Sequence, residues 1–142
     1  MIVRGLEFPD DLWYLVEHQA WARLHDATSA TVGITSLGVR LAGEIHMCRP
    51  KSVGAEIQRG RSIAVIEIAK AVVSVKSPVS GRVIAVNPRL ENQPELLHAD
   101  PYGEGWLARL SLVDFEADRP ALHHGEPARA AIEHLAWLNQ VG

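Results

Sequence analysis

One lysine stands between two apolar runs near the middle of this 142-residue chain. Residues 63–68 and 71–75 are rich in valine and isoleucine, which is typical of buried strands. Lys70 separates the two runs, and Glu67 precedes it by three residues. Because burying an unpaired ammonium is costly, the pattern predicts a hairpin whose tip carries Lys70 into solvent. An unmodified lysine at such a tip is a cation and a poor nucleophile at neutral pH.

The turn at this lysine lacks the residues that usually mark a tight hairpin. No Asn-Gly or Asp-Gly pair lies near it, so the local sequence permits the hairpin without requiring it. A turn centred on Lys70 would place Ile68 opposite Val72, and Val65 opposite Val75. This pairing is the register that the sequence predicts.

Composition narrows the classes of protein and partner. The formal net charge of -3 and the pI near 6.1 show no general attraction to nucleic acid. No apolar run reaches transmembrane length and the N-terminus does not resemble a signal peptide, so we expect no membrane span and a cytoplasmic location. Cys48 is the only cysteine, which excludes an internal disulfide framework. We expect it to be a small buried hydrophobe rather than a reactive thiol.

The remaining apolar segments are short and predict a mostly β, α+β fold with short peripheral helices. Thr35 or Ser36 can cap a helix through Leu41 that Gly43 would end. Pro127 begins a helical pattern that extends to Gln140. We predict an irregular N-terminal extension over residues 1–12 and a C-terminal tail and helix over 117–142. The other predicted strands cover residues 13–16, 21–24, 31–34, 83–86 and 107–112.

Several short motifs, weak one by one, occur in a familiar order between residues 14 and 112. In that order and spacing they resemble the H protein of the glycine cleavage system and its relatives, which are lipoyl carriers. The resemblance implies a lipoyl/biotinyl-type β-sandwich, or barrel-sandwich hybrid, with residues 1–142 as a single lipoyl-carrier domain. The motifs are Glu17–Trp21, Ala30–Thr35, Leu41–Ile45, Glu67–Ala71, Ser77–Gly81, Asn87, Pro94–Leu96 and Asp100–Trp106.

Two lysines compete for the lipoyl attachment site that this resemblance implies. The family places its lysine eight residues before the proline of a Pro-Val-Ser-Gly motif, and Lys70 is eight residues before Pro78. Lys76 lies only two residues before that proline, and we expect it along a strand. The resemblance therefore assigns the lipoyl group to Lys70.

Three neighbours of that lysine are candidate near-site residues. Glu67 matches the family motif and would assist recognition by the attaching enzyme or orient the arm, although it could equally be an ordinary solvent-facing residue. Ala69 and Ala71 flank the lysine and would fit a crowded tip.

The implied cofactor, lipoate, explains the absence of a catalytic triad or metal cluster from the sequence. Acylation removes the lysine charge and adds an arm that ends in a cyclic disulfide, which opens by thiol–disulfide exchange. The protein would be a covalent cofactor carrier and not an enzyme, because its partners make and break the bonds. The first implied partner is a lipoate ligase or another lipoyl-attaching enzyme.

Departures from the usual motif bear on which pathway the carrier serves. Ile68 and Ala69 stand where the family usually has serine and valine, and Lys51 stands in a loop that is usually acidic. These changes resemble the lipoate-binding proteins of bacterial sulfur oxidation, so our interpretation is a shuttle for sulfur intermediates with a heterodisulfide-reductase-like complex. We expect Lys51 to lie in the surface around Lys70. The alternative is an H protein that carries the aminomethyl group among the glycine cleavage enzymes.

Two other functional classes remain as alternatives. A biotin carrier has a similar fold but usually has methionines where alanines flank Lys70. A hydrolase or metal-binding protein would use the histidines, but their spacing matches no standard site. We expect His123 and His124 to belong to a flexible tail, and we expect no metal.

Overall fold

A computed structural model describes all 142 residues of the chain. Its α-helices are α1 (Ser36–Ala42), α2 (Leu96–Ala99), α3 (Phe115–Asp118) and α4 (Arg129–Leu138), and single 3₁₀ turns cover Val16–His18, Pro88–Glu91, Arg119–Ala121 and Glu126–Ala128. Its strands are β1 (Ile2–Val3), β2 (Leu6–Glu7), β3 (Trp13–Leu15), β4 (Ala20–Asp26), β5 (Ser29–Ile34), β6 (Met47–Pro50), β7 (Glu56–Ile57), β8 (Ser62–Ile68), β9 (Ala71–Lys76), β10 (Gly81–Val86), β11 (Ala108–Leu112) and β12 (His123–His124).

Two sheets enclose the main hydrophobic core. The larger sheet has the order β12-β3-β4-β5-β11-β10-β7, and the smaller one has the order β6-β8-β9. The core draws residues from both sheets, including Ala22, Val32 and Leu110 from the larger and Ala64 and Ile66 from the smaller. This sandwich with peripheral helices confirms the mostly β fold that the short apolar runs predict.

Buried and exposed residues alternate along the strands of the smaller sheet. Cys48, Ile66 and Val75 are buried, whereas the intervening residues Arg49 and Glu67 are exposed. Successive side chains of a strand point to opposite faces, so one face of this sheet contributes to the core and the other faces solvent.

The predicted helix after β5 is present as α1. The Thr35 side chain accepts a hydrogen bond from the amide of Gly38 at 3.1 Å, which satisfies one of the free amides at the helix start. Gly43, with φ of 72°, ends the helix as predicted.

The two ends of the chain pack on each other in a second core. Phe8 and Leu12 near the N-terminus are buried with Ile132 and Ala136 of α4. The side chain of Arg4 also donates to the carbonyl oxygen of Val141 at 2.8 Å. The expected irregular N-terminal extension instead forms the β1–β2 hairpin, because α4 supplies the apolar surface on which it folds.

The histidine pair near the C-terminus belongs to the larger sheet. His123 pairs with Tyr14 and His124 with Trp13, and the ring of His124 stacks on that of Trp13 at 4.1 Å. The expectation of a flexible tail is therefore wrong. Strand pairing with β3 orders these residues, and partners about 110 residues away leave no local signal in the sequence.

Candidate functional site

Lys70 lies at the tip of the hairpin formed by β8 and β9. Ile68 pairs with Ala71, so the turn consists of Ala69 and Lys70 alone. Neither turn residue has a positive φ, which explains why no Asn-Gly or Asp-Gly pair is needed. The predicted register is wrong by one residue, because the hairpin axis passes between Ala69 and Lys70 and not through Lys70. Val72 consequently pairs with Glu67 instead of Ile68.

The surroundings of the lysine are open. Lys70, Ala69 and Ala71 are all exposed, so the alanines do not fit a crowded tip as the sequence suggested. No carboxylate lies within ion-pair distance of the ammonium. An amine in this position is accessible to an attaching enzyme from several directions.

Glu67 is exposed on the solvent face of the hairpin, three residues from Lys70. Its neighbours across the sheet are Met47 in β6 and Val72 in β9, and its carbonyl oxygen accepts from the amide of His46 at 2.8 Å. The carboxylate makes no hydrogen bond or ion pair within the chain, so it is free to contact a partner or a modified Lys70.

A groove of about 210 Å³ runs between the hairpin and α1. Ile68 and Val73 of the hairpin form one side and Leu41 of α1 contributes to the other. Seven of its eleven lining residues are hydrophobic, so an aliphatic chain attached at Lys70 fits the chemistry of the groove. Sequence reasoning missed the contribution of α1, because the 36% exposure of Leu41 at the helix end is evident only in the folded chain.

A buried carboxylate connects the base of the hairpin strands to the C-terminal segment. Asp118 in α3 is 6% exposed and accepts hydrogen bonds from the amide of Ser80 at 2.8 Å and from its hydroxyl at 3.3 Å. Arg59 completes the group with an ion pair at 3.4 Å. Ser80 lies in the turn between β9 and β10, so the C-terminal segment holds that turn in place. Nothing in the local sequence marks Asp118 for this role.

Lys51 lies far from the hairpin tip. Its amide donates to the carbonyl oxygen of Ile63 at 2.8 Å, near the start of β8, whereas Met47 pairs beside the tip with Glu67. Ile63 lies seven positions before Lys70 along the hairpin, a span of about 20 Å. The expectation that Lys51 belongs to the surface around Lys70 is wrong, because β6 runs antiparallel to β8 and leads away from the tip.

Lys76, the competing lysine, lies at the end of β9 opposite Ser62 and is half-buried. It is therefore along a strand, as predicted.

Cys48 is buried on the inner face of β6 and is 4% exposed. Burial raises the pKa of its thiol to about 12, so almost no thiolate forms near neutral pH. The interpretation of Cys48 as a small core residue is confirmed.

Iodoacetamide is expected to alkylate Cys48 about a thousandfold more slowly in the native protein than in the urea-unfolded chain. The thiolate is the reactive species, and each pKa unit lowers its population tenfold. Mass spectrometry of timed, quenched samples measures both rates. Comparable rates would mean that the thiol is accessible and contradict a structural role.

The histidines form no metal centre. No group of three or more histidine, cysteine, aspartate or glutamate residues is arranged to hold a metal ion.

None of the helices combines the length and the apolar character needed to cross a membrane.

Comparisons with known proteins point to one family. Residues 12–135 match the family described as "Glycine cleavage H-protein". "Glycine cleavage system H protein 2" of Aquifex aeolicus is 37% identical over 125 residues, which is 88% of this chain and 78% of that protein. The "Glycine cleavage system H protein" of Marinobacter nauticus is 38% identical over 130 residues, covering 92% and 96%. A crystal structure of an H protein from Mycobacterium marinum superposes with a TM-score of 0.73 at 26% identity, covering 94% and 99%.

Proposed function

This chain belongs to the glycine cleavage H-protein family, whose members are non-catalytic proteins with lipoate covalently attached to a lysine, and we propose that Lys70 is that lysine here. The observation that carries the proposal is its position at an exposed two-residue hairpin tip without an ion-pair partner. Spacing supports the same residue, because Lys70 precedes Pro78 by eight positions. Lys76 is the weaker candidate, since its half-buried side chain lies along a strand.

The pathway that the relatives' names support best is glycine cleavage. The relatives from Aquifex aeolicus and Marinobacter nauticus are both named as H proteins of that system. The sequence-based preference for a sulfur pathway rested partly on Lys51 near the tip, and Lys51 is about 20 Å away. We therefore propose that this protein is the lipoyl carrier among the glycine cleavage enzymes, with a lipoyl-attaching enzyme as its first partner.

The residues around Lys70 expose the attachment point to partners and offer apolar contact to the attached chain. The hairpin extends the lysine from the rigid sandwich, so a partner can reach it without unfolding the carrier. Ile68, Val73 and Leu41 offer apolar contact to a chain lying along the groove. When bound as an amide, lipoate supplies a cyclic disulfide that opens by thiol–disulfide exchange. The amide linkage also removes the ammonium charge from the tip.

Reconstitution with glycine decarboxylase and its aminomethyltransferase tests the pathway. We expect the lipoylated protein to support decarboxylation of glycine at a rate comparable to that of an established H protein assayed beside it. Release of labelled carbon dioxide measures turnover, and the unlipoylated protein is the blank. Turnover no higher than the blank, from protein that mass spectrometry shows to be fully lipoylated, would reject the glycine cleavage role but leave the carrier assignment intact.

A sulfur carrier acting with a heterodisulfide-reductase-like complex is the second candidate. It is favoured by Ile68 and Ala69, which make the tip more apolar than the serine and valine of the usual motif. The arm is the same in both pathways, so the surface around it must select the partner. The same reconstitution separates the candidates, since a sulfur carrier is expected to give little glycine turnover.

A further inference from the structure

The solvent side of the three-stranded sheet forms a continuous surface that ends at Lys70, and we name it the outer face. Every second residue of its strands points to this side, while the residues between them, such as Ile66 and Cys48, are buried. Lys76 extends the pattern at the end of the sheet remote from the tip. The outer face consists of Met47, Arg49, Val65, Glu67, Val72, Ser74 and Lys76.

Cations dominate the outer face. The face carries the cations Arg49 and Lys76 and one carboxylate, that of Glu67, although the whole chain has a net charge of -3. Neither cation forms an ion pair within the chain. Elsewhere the chain pairs its charges often, and seven of its arginines contact carboxylates. The outer face is thus a positive region left uncompensated in an otherwise negative protein.

The same surface carries exposed aliphatic groups between its charges. Val72 is 62% exposed beside the hairpin tip, and Met47 and Val65 are half-buried on the neighbouring strands. Apolar groups within a charged surround are the usual arrangement of a protein–protein interface. The face is a sheet surface without an enclosed cavity, so it fits a protein surface better than a small molecule.

We propose that the outer face docks an acidic surface of the enzyme that loads the arm, and this inference rests on the proposed carrier function. Charge complementarity identifies the partner surface, because unpaired cations accelerate association with an anionic one. A second copy of this chain is disfavoured, since two outer faces would bring like charges together. Docking here leaves the hairpin tip at the edge of the interface, where Lys70 can enter an active site.

A single charge reversal at the centre of the face tests the proposal. Arg49→Glu is expected to lower kcat/KM for loading by glycine decarboxylase about tenfold at low ionic strength, mainly through KM. The loss should shrink in high salt, because screening shortens the range of the interaction. Arg109→Glu is the matched control. Arg109 is also an exposed strand arginine without an ion pair, but it lies on β11 in the other sheet, and its variant is expected to stay within twofold of wild type.

Mass spectrometry and thermal unfolding first establish that both variants are lipoylated and folded. An unchanged KM for Arg49→Glu, or an equal loss in Arg109→Glu, overturns the docking proposal while the carrier function stands.

If glycine decarboxylase does not load the wild type, the same variants are assayed with a heterodisulfide-reductase-like complex, where the same shift in KM is expected. Turnover with neither system overturns the proposal together with both pathways. Binding of wild type to anionic vesicles, lost in Arg49→Glu, would assign the face to a membrane and also overturn it.

Discussion

Replacing Lys70 by arginine is expected to abolish lipoylation completely. Arginine keeps the charge and nearly the length of lysine, but its guanidinium stays protonated and offers no amine to acylate. The exposed tip imposes no packing requirement on the side chain, so the variant should fold like the wild type. Intact mass measured after co-expression with a lipoate ligase checks the result, and a biotinyl adduct on the wild type would be distinguished by its different mass.

Lys76→Arg is the matched control for this experiment. It makes the same chemical change six residues away, at the half-buried end of β9, and we expect full lipoylation. Full lipoylation of Lys70→Arg would exclude Lys70, and loss of lipoylation in Lys76→Arg would assign the attachment site to Lys76. Such an exchange would also show that the enzyme does not require an exposed hairpin tip.

Replacing Asp118 by alanine is expected to destabilise the protein by about 3 kcal/mol. The variant leaves the amide and hydroxyl of Ser80 and the side chain of Arg59 without their shared acceptor. Losing one partner of a mostly buried charged network is costly, because the groups that remain cannot all return to water. The expected fall in Tm is roughly 10 °C, which thermal unfolding followed by circular dichroism measures.

Glu116→Ala is the control from the same helix. Glu116 also pairs with an arginine, Arg119 at 3.5 Å, but its side chain is 74% exposed. Exposed pairs contribute little, so we expect a change below about 1 kcal/mol. Equal unfolding temperatures for the two variants would contradict the role of Asp118 in holding the turn before β10.

The location of Lys70 at a hairpin tip follows from the local sequence, whereas the register of the two hairpin strands does not. Valine and isoleucine on both sides of Lys70 predict strands, and a lone ammonium cannot remain in a core. The prediction that both strands are buried is wrong for β9, whose residues 71–74 are exposed because no second sheet layer covers this end of the hairpin. Whether the turn after Ile68 contains two residues or three depends on how β8 pairs with β9, and a shift of one residue changes which side chains share a face. That shift puts Val72 beside Glu67 on the outer face and leaves Val73 in the groove.

The sequence by itself determined the strand-rich class, the helix after Thr35 and the resemblance to an H protein. These depend on periodicity, on capping and on motifs whose residues lie close together in the chain. Only the tertiary structure decided that Lys51 lies far from Lys70, that Asp118 holds Ser80 and that His124 stacks on Trp13. Each of these three features depends on segments that are distant in sequence or on the direction of a strand. Their positions result from the packing of the two sheets and the chain ends around shared cores, which no local pattern specifies.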